Sequence, residues 1–117
     1  MKLFVYGTLK SGYALNKKTI GSNPSCTFIE EGTIDGYDMY SNGSYPYIVE
    51  GKGKVKGEVW EINDSVMMTN LRSIEREYEE AEVLVKTETG TETCLAYVYK
   101  NDVRDSWSKV ESGEFKR

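Results

Sequence analysis

The chain begins with the run Leu3-Phe4-Val5-Tyr6-Gly7-Thr8-Leu9, in which β-forming residues give way abruptly to a glycine. Aromatic and β-branched residues followed at once by glycine predict a strand that ends in a tight turn. Backbone N–H groups in such a turn lack sheet partners and are available to a polar ligand. Taken alone, the Tyr6-Gly7-Thr8 string favours a first strand and a turn with no further role.

Segments with strand character dominate the rest of the chain. Extended runs are predicted at residues 26–40, broken at two glycine positions, and at residues 45–49. The clean alternation of residues 54–62 predicts a central strand. A hairpin is predicted around the turn Thr89-Gly90-Thr91.

One amphipathic helix is predicted near the middle of the chain. Asn63-Asp64 are good N-cap residues, and they precede a periodic apolar segment. Its apolar residues recur at spacings of four, three and four, at Met67, Leu71, Ile74 and Tyr78. A shorter helical turn is expected between Tyr13 and Ile20.

These elements together predict an α+β fold, a small mixed β-barrel with one main amphipathic helix and short peripheral helices packed outside it. The residues alone leave an alternative, an open antiparallel sheet with a single helix laid across it. A length of 117 residues is that of one ordinary domain, so we expect a single domain over residues 1–117.

Charge and composition exclude several classes of function. The net charge of −4 argues against nucleic-acid binding, which draws on clustered Lys and Arg. The alternating Lys52, Lys54 and Lys56 predict a solvated strand face. No run approaches the roughly 20 apolar residues of a membrane span, and the first residues lack a signal-peptide block, so we expect a cytoplasmic protein without membrane association. Cys26 and Cys94 are expected to be reduced and at least half-buried.

The chain contains no histidine, which excludes Ser-His and Cys-His nucleophilic catalysis. An enzyme of this sequence must therefore move protons with a carboxylate, Lys or Tyr. Glu75 is the strongest candidate, because beside Ile74 it lies at the border of the helix's predicted buried stripe, where partial burial raises a carboxyl pKa. From periodicity alone, however, the charged run over residues 75–80 favours a solvated surface.

A set of short strings occurs in order along nearly the whole chain: Val5-Tyr6-Gly7-Thr8-Leu9-Lys10, Gly12, Asn16, Gly36-Tyr37-Asp38, Tyr45-Pro46-Tyr47-Ile48-Val49, Val55-Lys56-Gly57-Glu58-Val59-Trp60, Leu71 with Glu75, Ala96-Tyr97-Val98-Tyr99 and Ser112-Gly113-Glu114-Phe115. In this order and spacing the chain resembles the gamma-glutamyl cyclotransferase-like family, of the gamma-glutamylamine cyclotransferase type. The resemblance implies the same small barrel and calls for no metal or organic cofactor.

The resemblance also assigns a catalytic residue. Leu71-Arg72-Ser73-Ile74-Glu75 lines up with the family's Leu-Asp-x-x-Glu, whose Glu is the catalytic acid/base. Arg72 stands at the family's Asp position. Tyr78-Glu79-Glu80 comes early and lacks the Arg of the family's Tyr-x-Arg element, so substrate selection is open to change.

The reaction implied is intramolecular aminolysis of a small gamma-glutamyl compound, with release of 5-oxoproline. The loop Tyr6-Gly7-Thr8-Leu9 would bind the substrate, and Tyr45 and Tyr97 would line its pocket. The leaving group is left open among a free amine, an amino acid, a crosslinked lysine side chain and the remainder of glutathione. Two other functions stay open at this point: a non-catalytic relative that binds a small molecule or a protein through the same pocket, and a plain acidic interaction domain.

Overall fold

The computed structural model describes residues 1–74 and 76–116. Its strands are β1 (Lys2–Val5), β2 (Cys26–Ser41), β3 (Pro46–Ile62), β4 (Tyr78–Thr87), β5 (Gly90–Tyr99) and the short β6 (Ser108–Lys109). Its helices are α1 (Ala14–Lys18), a 3-10 turn (Ile20–Ser22) and α2 (Ser65–Ile74). The predicted hairpin is confirmed, since β4 and β5 pair antiparallel up to Thr87 and Gly90.

The sheet closes on itself. The opening strand β1 lies between β3, with which it is antiparallel, and β5, with which it is parallel at Leu3 and Leu95. Strand β2 pairs with β4 at Thr33 and Lys86 and also along its length with β3, so that the five strands form a ring and β6 adds to β2. The mixed barrel is therefore confirmed, and the open antiparallel sheet is wrong because the sheet has a parallel pair and its two edges meet.

Two long strands replace several shorter predicted runs. The run at residues 26–40 is one strand, because the register shifts between Phe28 and Glu30 and between Asp35 and Tyr37 bend it without ending it. Gly36, at the second shift, has a φ of +87°, which a glycine adopts without strain. The predicted strands 45–49 and 54–62 are likewise two parts of β3.

Alternation along the strands divides the core in two. Phe4 belongs to a cluster that fills the barrel with strand residues and Phe115, whereas Leu3 and Val5 face a second cluster beneath the helices. Cys26 and Cys94 are buried and unpaired, as expected. Burial, assisted by the Glu92 carboxylate, raises the pKa of the Cys94 thiol to about 11 and keeps it neutral.

Helix α2 begins as predicted and ends earlier. Asp64 Oδ1 accepts the N–H groups of Val66 and Met67 at 3.0 and 3.1 Å, which confirms the N-cap. The prediction that the buried stripe of this helix continues through Ile74 to Tyr78 is wrong. Ile74 is 49% exposed and Tyr78 is the first residue of β4, because pairing with β5 redirects the chain there.

The described helices contain none that is long and apolar enough to cross a membrane. Lys52, Lys54 and Lys56 are exposed along β3, so the solvated strand face is confirmed.

Candidate active site

A cavity of about 580 Å³ lies beyond the end of β1. It is lined by all six residues predicted to bind substrate, namely Tyr6, Gly7, Thr8, Leu9, Tyr45 and Tyr97. Further lining residues come from the start of α1, from the β2–β3 turn and from the connection between α2 and β4. Residues far apart in sequence therefore meet around one space.

The loop after β1 has the geometry that the sequence predicts. The last β1 pair joins Val5 to Glu58, and the Gly7 carbonyl then accepts the N–H of Lys10 at 3.0 Å, which closes a turn. Within residues 1–74 and 76–116, the backbone N–H groups of Gly7, Thr8 and Leu9 have no hydrogen-bond partner. Three adjacent donors thus lie in the part of the loop that lines the cavity.

Gly7 is required by a close approach of two chain segments. A Cβ at this position would lie 2.7 Å from Pro46 Cγ and 3.1 Å from Pro46 Cδ. Pro46 is buried, and its ring has little freedom to move aside. The glycine therefore lets the β2–β3 turn, with Tyr45 at its exposed tip, sit against the loop.

Two polar side chains hold the loop from behind. Asn16, which is buried, donates its amide to the Leu9 carbonyl at 2.7 Å. Lys10 Nζ donates to the Phe115 carbonyl at 2.9 Å, and partial burial lowers the pKa of its ammonium. Sequence reasoning included both positions only as part of the family resemblance, because neither residue carries a local signal of its long-range partner.

Tyr6 and Tyr97 are joined behind the cavity. Both side chains are nearly buried, and the Tyr6 hydroxyl donates to the Tyr97 carbonyl. This bond links the end of β1 to β5 and fixes two of the predicted binding residues relative to each other. A strand-end tyrosine thus has a structural role as well as a place in the cavity wall.

Stacked aromatic rings form one wall of the cavity. Tyr47 stacks between Tyr78, at 5.5 Å and 7°, and Trp107, at 4.2 Å and 12°. Tyr99 meets Tyr47 edge-on at 5.0 Å. Tyr78, which lines the cavity, was missed as a site residue, since nothing in its local sequence indicates that it stacks on Tyr47.

The predicted base, Glu75, lies outside the described residues. Its neighbours in sequence Ile74, Arg76 and Glu77 all line the cavity. Burial raises the pKa of the Tyr47 hydroxyl, and the nearby Glu77 carboxylate raises it further. Glu77 belongs to the charged run that was predicted to form a solvated surface; it is exposed, and it also lines the cavity.

Charged groups of both signs surround the opening of the cavity. Lys18 and Arg76 are exposed cations in its lining, and Glu77 supplies an anion. The described residues contain no cluster of three or more His, Cys, Asp or Glu side chains placed to hold a metal ion.

The Arg72 side chain has a defined partner. Its Nε donates to Glu80 Oε2 at 2.9 Å, and the same oxygen accepts the Tyr97 hydroxyl at 3.2 Å. The residue that departs from the family's Leu-Asp-x-x-Glu string is thus joined to β4 and to the cavity wall.

A closed mixed barrel with a cavity of this volume, mostly apolar walls and a few convergent polar groups is typical of proteins that have a small-molecule site. The family described as "Gamma-glutamyl cyclotransferase, AIG2-like" matches residues 3–117. The chain belongs to this family, and the alternative of a plain acidic interaction domain is set aside because the family match spans nearly the whole chain.

Similar proteins span the same length. The chain is 34% identical over 122 residues to "Gamma-glutamylcyclotransferase family protein YtfP" of Escherichia coli strain K12, covering 98% of this chain and 96% of that protein. It is 31% identical over 115 residues to a "Putative gamma-glutamylcyclotransferase" of Pyrococcus horikoshii, covering 98% and 90%.

Solved structures share the fold. The crystal structure of the Pyrococcus horikoshii protein matches with a TM-score of 0.77 at 30% identity, over 98% of this chain and 89% of that one. A mouse AIG2-like protein matches with a TM-score of 0.81 at 22% identity, over 98% and 87%. Because the mouse protein is only 22% identical, its match shows that the fold is shared and nothing more.

Proposed function

We propose that this protein is a cyclotransferase that releases 5-oxoproline from a gamma-glutamyl amine or gamma-glutamyl amino acid, with Glu75 as the general acid/base. The observation that carries the proposal is the shared cavity. It brings the amide-bearing loop of Gly7 to Leu9 together with Ile74 and Arg76, the two residues that flank position 75. Family membership supports the class of reaction.

The proposed chemistry needs one proton carrier. Glu75 takes a proton from the α-amino group of the substrate, and the freed nitrogen attacks the γ-carbonyl carbon to form the five-membered ring. The amide bond to the leaving group then breaks, and Glu75 returns its proton to the departing nitrogen. Because nucleophile and electrophile belong to one molecule, holding them in a reactive shape supplies much of the acceleration.

The loop supplies the complementary half of the site. The N–H groups of Gly7, Thr8 and Leu9 bind either the α-carboxylate of the substrate or the oxyanion that develops on the γ-carbonyl. Both tasks call for adjacent donors that are not used by the sheet, which is what this loop presents. The walls at Tyr45 and Tyr97 surround the rest of the substrate.

The test measures 5-oxoproline release by the purified protein. Gamma-glutamylamines, gamma-glutamyl amino acids, gamma-glutamyl-ε-lysine and glutathione are assayed side by side. Glu75→Gln keeps the size of the side chain but cannot carry the proton, so we expect turnover to fall by about 10²-fold or more with the fold intact. Glu79→Gln, an exposed β4 residue outside the cavity lining, is the matched control and should retain activity.

The variant Glu77→Gln tests whether Glu77, and not Glu75, is the general base. Glu77 also lines the cavity, so loss of turnover in this variant with retention in Glu75→Gln would show that the base had been assigned to the wrong residue. Absence of turnover with every compound, together with calorimetric binding of one of them, would favour the non-catalytic binding function instead.

A further inference from the structure

Arg72 and Glu80 bridge the two ends of the segment that connects α2 to β4. Arg72 lies in the last turn of α2, and Glu80 is the third residue of β4. The distance between Arg72 Nε and Glu80 Oε2 is 2.9 Å, and this hydrogen bond raises the pKa of the guanidinium above its ordinary value. Arg72 and Glu80 are eight positions apart in sequence, so the ion pair joins the two ends of the segment 73–79.

The enclosed segment contributes four of the residues that line the cavity. Its lining residues are Ile74, Arg76, Glu77 and Tyr78. A cross-link at the base of a short loop limits the conformations open to every residue within it. The Arg72–Glu80 pair lies where such a cross-link would act on these lining residues.

Tyr97 ties the bridge to the opposite wall. Its hydroxyl donates to Glu80 Oε2 at 3.2 Å, and its carbonyl accepts the Tyr6 hydroxyl. Glu80 is therefore shared between the connecting segment and a buried tyrosine that itself lines the cavity. The chain of contacts runs from α2 through β4 and β5 to the end of β1.

The two ends of the bridge are also the two places where this chain departs from the family strings. Arg72 stands at the Asp of Leu-Asp-x-x-Glu, and Glu80 stands at the Arg of Tyr-x-Arg when Tyr78 is taken as its Tyr. An Asp at position 72 would place a second negative charge near Glu80, whereas the pair as it stands attracts. In this chain the two departures meet in one attractive contact.

We propose that Arg72 and Glu80 are positioning residues of the active site, a clip that holds the segment 73–79 against the cavity. The inference rests on the proposed function, because that segment contains the proposed base. Arg72 is about half exposed, at 49%, and an exposed pair of this kind contributes little to global stability. The clip should therefore affect turnover far more than it affects unfolding.

The experiment reverses the charges one at a time and then together. Arg72→Asp should lower kcat by about 10-fold to 100-fold, the scale of a small misplacement of reacting groups, and change KM by less than about threefold. Glu80→Arg should do the same. The double variant Arg72→Asp/Glu80→Arg restores an attracting pair and should recover kcat to within about threefold of the parent, a non-additivity that marks direct coupling.

Hydrogen exchange of the segment 73–79 gives a readout that does not need turnover. Exchange there should be faster in both single variants and return toward the parent rate in the double variant. Lys54→Met, which removes an exposed ion pair with Asp35 elsewhere on the barrel, is the control and should change neither exchange in this segment nor kcat. Arg72→Met removes the charge without introducing repulsion and replaces Arg72→Asp if that variant does not fold.

Each outcome decides one question. Parent-like exchange and kcat in Arg72→Met would overturn the clip, and so would faster exchange with unchanged kcat in an active enzyme. Additive losses in the double variant would overturn the direct pairing. A parent protein that turns over none of the gamma-glutamyl compounds would instead contradict the proposed function, while the exchange measurement would still decide whether the clip holds the segment.

Discussion

At the scale of single residues, the site depends on contacts that only close packing explains. Gly7 was singled out in the sequence because it stops an apolar run, and the loop it begins lines the cavity with backbone amides that have no hydrogen-bond partner among the described residues. The reason for a glycine at this position, the ring of Pro46, lies 39 positions away in a different turn. Sequence reasoning thus predicts the loop but not the partner that shapes it.

Gly7→Ala should damage the site without unfolding the protein. A methyl group 2.7 Å from Pro46 Cγ forces the loop and the β2–β3 turn apart, which moves the amides relative to the rest of the cavity. We expect kcat/KM for the best gamma-glutamyl substrate to fall by about 10-fold to 100-fold.

The matched rescue for this variant is Gly7→Ala/Pro46→Ala. Removing the ring leaves room for the added methyl group, so the double variant should recover part of the lost kcat/KM. If it is no better than Gly7→Ala, the contact with Pro46 is not the cause of the loss.

At the scale of elements, local signals predict where a segment begins better than where it ends. Asp64 was identified as a cap from residue type alone, and the structure gives it two backbone N–H donors. The apolar spacing was extended to Tyr78, although α2 is described only to Ile74. Tyr78 is apolar enough for a helix stripe, but its pairing with Tyr99 in β4–β5 is a non-local interaction that periodicity does not contain.

The cap also predicts a dependence of stability on pH. A hydrogen bond from Asn23, followed by the N–H groups of Met67 and Val66, lowers the pKa of the Asp64 carboxyl below its usual value. A carboxyl whose pKa is depressed in the folded state stabilises it above the unfolded pKa of about 3.9 and loses that contribution as the pH falls through the folded pKa. Asp64→Ala should therefore be less stable than the parent at neutral pH.

Urea unfolding at several pH values checks this prediction. The difference in the free energy of unfolding between the parent and Asp64→Ala should be largest above about pH 4 and should narrow as the pH is lowered below it. Asp102→Ala, at an exposed position in the C-terminal segment, is the control. A difference that stays constant with pH would show that the charge of Asp64 does not contribute.

At the scale of the whole molecule, closure of the barrel is what brings the site together. The composition and alternation of the strands favour a barrel, yet the parallel pair β1–β5 and the β2–β4 contact join segments that only the complete topology places side by side. The residues alone left open whether the strands form a closed barrel or an open antiparallel sheet, and the family resemblance favoured the barrel. Tyr6 and Tyr97 become neighbours only through that closure.

The C-terminal segment secures the closed barrel from within. Phe115 is 4% exposed in the barrel cluster, its ring meets Tyr13 at 6.1 Å, and its carbonyl accepts Lys10 Nζ. Nearby, the Gly113 carbonyl accepts the Lys56 N–H at 2.8 Å. The last residues thus touch the strand face, the barrel interior and the loop that bears the cavity amides.

Phe115→Ala should therefore cost about 3–5 kcal/mol in the free energy of unfolding, because it removes a large ring from a packed interior and leaves a cavity. Phe28→Ala is the matched control: Phe28 packs against Trp60 but is 43% exposed, so its truncation should cost only about 1–2 kcal/mol. Urea unfolding checks both variants, and the midpoint should move while the slope stays constant. Equal losses in the two variants would show that the Phe115 ring does not anchor the barrel.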